Sequence, residues 1–158
     1  MHLLADQAFF LSNGGSSVVT TTNLLVQYMN DVNTIYKFTQ FTGVNENILL
    51  SIGKVTIYEG AGMSDTGSTN PFVTTSDSSE FLQSFSTLDH GAWCLAHGFT
   101  HQTFDGGILG LANVGVICSK PNSVCTSQSC SRNTGITTTL NQVPSTRLQT
   151  WVSMYHMY

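Results

Sequence analysis

Residues 94–116 read CLAHGFTHQTFDGGILGLANVGV. Two apolar runs, Ala92 to Phe99 and Ile108 to Val116, flank Asp105-Gly106-Gly107, where glycine supplies positive φ and aspartate caps a tight turn. The pattern predicts two strands on either side of that turn. A strand directly after the glycines also removes the helix N-terminus that phosphate cradling requires. His97 and His101 stand four apart, a spacing that on a helix would aim both imidazoles at one metal. Gly98 and Phe99 continue a strand pattern instead, and the residue after His97 is not the glutamate a zinc peptidase uses as its base. Both histidines therefore read as ordinary strand-end residues. Cys94, beside Trp93 on a buried-looking strand, reads as structural rather than nucleophilic, and Asp89-His90 reads as surface polarity.

Working upstream, Asp77 and Glu80 have capping-box spacing, and Phe81, Leu82, Phe85 and Leu88 give the short helix that follows one apolar face. Gly60 to Ser76 has no period and reads as a loop. Ile48, Leu50, Ile52, Val55 and Ile57 predict a second strand. Before it, Leu25, Tyr28, Met29, Val32, Ile35 and Tyr36 recur at three and four, predicting one long amphipathic helix capped by Ser16 or Ser17 and stopped at Gly43-Val44-Asn45. His2 to Leu11 reads as the first strand, ended by Asn13-Gly14-Gly15. Downstream, Cys118 to Asn133 is a polar loop and Gly135 to Leu140 a fifth strand. Strand, helix, strand, helix, strand, strand, strand implies a layered α/β sheet with early right-handed crossovers and an antiparallel edge late.

The composition agrees. Charged residues are only 9% of the 158, and 18 serines with 21 threonines supply the polarity instead, which favours strands, caps and turns over long solvated helices. Five Lys and Arg against nine Asp and Glu leave a net charge of -4, so there is no electrostatic basis for nucleic-acid binding. No run approaches the ~20 apolar residues that span a bilayer, so no direct membrane insertion is expected. The four cysteines form no CxxC pair, although Cys125 and Cys130 have the spacing to close a small loop.

Several blocks in one order carry a resemblance. Cys94-Leu95-Ala96-His97, Phe99-Thr100, Phe104-Asp105-Gly106-Gly107, Leu109-Gly110-Leu111-Ala112, Val114-Gly115 and Asn133-Thr134-Gly135-Ile136 resemble the catalytic domain of the ADAM proteases, a reprolysin-type metzincin family, and its α-secretase branch in particular. Asp6 to Phe10, Asp31 to Tyr36 and Asn70-Pro71-Phe72 fit the same order. The resemblance implies a metzincin-like three-layer α/β sandwich: a five-stranded, mixed, twisted sheet with helices on both sides, here incomplete and limited to the N-terminal subdomain. Residues 1–144 are then a partial metallopeptidase catalytic domain and 145–158 a divergent tail.

The resemblance also implies zinc held by HExxHxxGxxH in the complete family domain, with its glutamate activating the metal-bound water. That element is expected just after Val143-Pro144, where the sequence reads Ser145-Thr146-Arg147-Leu148 instead. No zinc and no hydrolysis are therefore expected of this chain itself, and its catalytic and metal residues are expected to be none. By the same resemblance Cys94 and Cys118 lack their partners. The complete family member would cleave membrane-protein ectodomains or peptides, in the extracellular space or at the cell surface. Leu109, Gly110, Leu111 and Ala112 are expected on the strand that receives substrate. The alternative function is a non-catalytic protein that binds peptides or other proteins on the same edge.

Overall fold

The computed structural model describes residues 1–39, 48–60, 70–113, 123–125 and 128–140. Five strands form one sheet: β1 (His2–Ala5), β2 (Lys54–Ile57), β3 (Ala96–Thr100), β4 (Gly110–Ala112) and β7 (Thr134–Thr138). Their order is β2-β1-β3-β7-β4, with β4 antiparallel to β7 and every other pairing parallel. The expected mixed five-stranded α/β sheet is thus present, with its antiparallel strand late in the chain. Residues 123–125 and 128–130 form a separate antiparallel hairpin, β5 and β6, inside the segment read as a loop.

Alternation along the strands divides the core in two. Leu3, Ala5, Ile57 and Phe99 face α1 (Gln7–Ser12) and α2 (Val18–Phe38), whereas Leu4, Ala96 and Ile136 face α3 (Ser78–Ser86). In α2 the buried stripe is Thr21, Leu25, Met29, Val32 and Tyr36, while Tyr28 and Ile35 pack along its margin. Burying the apolar members of that stripe contributes roughly 1.5–3 kcal/mol each. Ser17 is the N-cap, its hydroxyl accepting from the Thr20 amide at 3.2 Å. The helix ends at Phe38; the expected stop at Gly43-Val44-Asn45 lies outside the described residues.

Four expected boundaries need correction. The apolar run His2 to Leu11 is not one strand, because the Asp6 carboxylate accepts from the Phe9 amide at 2.7 Å and caps α1. The second strand begins only at Lys54. Ahead of it Asn33 of α2 holds the extended backbone in place of a strand partner, donating to the Leu50 carbonyl at 2.8 Å and accepting from its amide at 2.7 Å. The third strand begins at Ala96, since Ala92 to Trp93 turn, and β4 begins at Gly110, after a 3-10 turn over Asp105–Gly107. Gly106 and Gly107 there have φ of 69° and 71°, the positive values read from the sequence. Asp77 caps α3 as expected, but Glu80 does not return to the Asp77 amide; Thr75 accepts from that amide and donates to Glu80.

Asp6 links the first turn to the far end of β3. Its second oxygen accepts from the Thr100 hydroxyl at 2.5 Å and from the Gln102 side-chain amide at 3.2 Å. Burial raises the Asp6 pKa, and these hydrogen bonds pull it back down. We predict that Asp6→Ala lowers unfolding free energy by about 2 kcal/mol or more, from loss of the cap and of two buried acceptors. An unchanged midpoint in urea denaturation would show that another contact ends β1.

Candidate functional site

β4 closes one end of the sheet among the described residues. Leu111 lies opposite Ile136 on β7, the Thr138 amide donates to the Leu109 carbonyl at 2.9 Å, and the Asn113 amide donates to the Thr134 carbonyl at 3.1 Å. Residues 109, 111 and 113 therefore occupy the positions that exchange hydrogen bonds with β7. By antiparallel alternation the N–H and C=O of Gly110 and Ala112 point to the other side, away from β7. All four predicted residues, Leu109, Gly110, Leu111 and Ala112, are half-buried on this short segment.

Leu111 packs toward α3 and Ala112 toward the opposite core. Between α3 and β4 runs a groove of about 340 Å³, lined by Ser79, Leu82, Gln83, Ser86, Leu111, Ala112 and Asn113. Its lining carries no charge. A second cavity of about 370 Å³ opens beyond the ends of β1 and β3, where the strand order reverses, but both oxygens of its Asp6 already accept hydrogen bonds.

The histidines are distributed away from this edge. His97 in β3 is fully buried, with Nε2 2.9 Å from the Thr137 hydroxyl, and His101 sets Nδ1 3.0 Å from the Thr139 hydroxyl. Each pairs with a threonine rather than with the other. Burial holds His97 neutral, its pKa lowered to about 3.

Two sequence readings fail here. Asp89-His90 is not surface polarity, because His90 is 0% exposed beneath α3 although Asp89 itself is exposed. Cys94 is not buried on a strand and does not lack a partner: it is exposed and disulfide-bonded, as Cys130 is disulfide-bonded too. Cys118 and the tail 145–158 lie outside the described residues. The His90 environment was hidden in sequence by its polar neighbours. The outward groups of Gly110 and Ala112 become visible only with the register.

Residues 18–158 match the family model described as Metallo-peptidase family M12B Reprolysin-like. The chain is 33% identical over 149 residues to the human (Homo sapiens) disintegrin and metalloproteinase domain-containing protein 10, covering 89% of this chain and 19% of that protein. It is 34% identical over 122 residues to the Xenopus laevis protein of that name, covering 72% of this chain and 16% of the relative. For the Caenorhabditis elegans homolog the identity is 37% over 95 residues, or 57% of this chain and 10% of the relative. The chain thus spans about a fifth, or less, of the length of the curated relatives it matches.

The donors needed by a metallopeptidase do not converge here: among the described residues no three of His, Cys, Asp and Glu gather to hold an ion. With His97 turned to Thr137 of β7 and His101 to Thr139 just beyond it, a catalytic zinc does not fit these residues. Nor is any helix among them long and apolar enough to cross a membrane. We predict that a zinc chelator leaves the thermal midpoint of the purified chain unchanged. A drop reversed by added zinc would reveal a metal held by other residues.

Proposed function

The chain belongs to the reprolysin-like M12B metallopeptidase family, and from that premise we propose that it forms the substrate-receiving wall of a peptidase cleft, with β4 pairing antiparallel to an extended peptide. The observation that carries this reading is the register of β4, which aims the N–H and C=O of Gly110 and Ala112 away from β7. Strand addition at a sheet edge draws its affinity from such backbone groups and its selectivity from alternate side chains. Gly110 permits close approach, while Leu109 and Leu111 shape the flanks. A peptide side chain on the α3 side would lie beside Leu111 and the uncharged groove, so uncharged side chains are favoured at that position.

HExxHxxGxxH does not occur in these 158 residues, so no zinc ligand and no hydrolytic step is assigned to them. The whole protein, on this reading, uses zinc to cleave peptides or membrane-protein ectodomains outside the cell or at its surface. The 158-residue chain binds without cutting. The same outward groups support the second reading, a peptide- or protein-binding pseudopeptidase, which differs only in whether a complete zinc site exists elsewhere in the protein.

A fluorescent, uncharged extended peptide should bind the chain saturably, and Gly110→Pro should weaken binding about tenfold by removing one outward N–H, while the β7 bonds of residues 109 and 111 survive. Equal binding by the variant would rule out the β4 edge. Chelator-sensitive hydrolysis of a quenched peptide by the pure chain would overturn its assignment as non-catalytic.

A further inference from the structure

His2 at the start of β1 and His90 between α3 and β3 meet in the layer beneath α3, with ring centroids 5.6 Å apart at 66°. They are 6% and 0% exposed. His2 Nε2 lies 2.9 Å from the Thr56 hydroxyl of β2, but His2 Nδ1 has no hydrogen-bond partner, and neither nitrogen of His90 meets hydrogen-bond geometry, although the Phe85 carbonyl lies near enough to favour its charged form. The Phe85 ring is 4.7 Å from His90, and the Trp93 ring is 5.8 Å from His2. Trp93 is itself pressed on Gly53, where a Cβ would come within 2.2 Å of the indole.

Backbone ties converge on the same place. The His90 amide donates to the Ser131 hydroxyl at 2.8 Å, and the Asn133 side-chain amide donates to the carbonyls of His90 and Trp93. The pair therefore sits where β1, β2, the α3–β3 connection and the approach to β7 join. We propose that His2 and His90 form an acid-sensitive joint, which holds these four segments together while both rings are neutral and releases them when either takes up a proton.

The surroundings oppose a cation. Lys54 from β2 disfavours the charged form of both rings, and the α-amino group of Met1 disfavours that of His2. On the other side, the Phe85 carbonyl of α3 and exposed Asp89 favour charge on His90. From the approach to β7 come uncharged Ser131 and Asn133, with Arg132 between them exposed to solvent. Burial is the largest cause for both rings: joined by the neighbouring His90 it lowers His2 to about 3, and outweighing Phe85 and Asp89 it lowers His90 to about 4, from 6.5.

The direction of the linkage follows. The unfolded chain takes up protons near pH 6.5 while the folded chain holds them off until about pH 4 and 3, so stability is full above 6.5 and drains away as the pH falls through that interval. Each ring lowers the folded-to-unfolded ratio about 20-fold between pH 7 and pH 5. His97, buried on the opposite face, adds a share of its own that the pair does not control.

Urea denaturation of the full 158-residue chain at pH 7 and pH 5 tests this against the double variant His2→Gln, His90→Phe. The variant should lose about two-thirds of the pH-dependent destabilisation, leaving the share of His97. An unchanged pH dependence would overturn the proposal. Should the variant not fold, the imidazole resonances of the native chain decide instead. Rings of His2 and His90 that stay unshifted from pH 7.5 to 5.5 support the joint, and rings that titrate near 6.5 refute it.

Discussion

The carboxylate of Asp6 fixes two distances at once. One oxygen caps α1 and so ends β1 after four residues; the other holds Thr100 and Gln102 at the exit of β3. Because β1 and β3 are neighbours in register from His2 opposite Ala96 to Ala5 opposite Phe99, this contact locks their ends level. The two cores then form on opposite sides of a sheet whose alternation is already set, with Leu3 and Ala5 toward α2 and Leu4 toward α3. The register carries through β7, paired with β3 from Thr134 to Thr138, out to Gly110 and Ala112.

Apart from Asp6, hydroxyls meet ring nitrogens and polar side chains across this interior. Thr56 meets His2, Thr137 meets His97, Thr139 meets His101 and the Asn13 side chain, and Ser86 meets Thr134 at 2.7 Å. A hydroxyl both donates and accepts, so it satisfies a buried ring nitrogen in either tautomer without the desolvation cost of an ion. The abundance of serine and threonine has this physical use at His97, His101 and Nε2 of His2, whereas the remaining nitrogen of His2 and those of His90 stay without such a partner.

Legibility in the sequence followed the range of the forces involved. The long helix was readable because Leu25, Met29, Val32 and Tyr36 repeat at helical spacing and a serine caps it, and α3 because Asp77 precedes Phe81, Leu82 and Phe85. The first helix was missed because Phe9 and Phe10 prolong an apolar run, and only the reach of Asp6 to the Phe9 amide distinguishes a cap from a strand residue. The start of β2 was misjudged since Asn33, seventeen residues before Leu50, supplies to Leu50 the hydrogen bonds that alternation alone suggested a strand would make. Resemblance predicted Leu109 to Ala112 on a substrate-receiving edge, and β4 does close one end of the sheet among the described residues, but which of its backbone groups face outward depends on pairing with Thr137 and Ile136, a long-range fact. His90 was the largest miss, because burial is set by Phe85 and Ser131 rather than by its sequence neighbours.

The brevity of β4 has its own consequence. Three residues span only about 10 Å, so, on the proposed reading, a guest chain lying along the described part of β4 would find two docking rungs, at Gly110 and Ala112. Such a berth would hold a visitor loosely and let it go quickly.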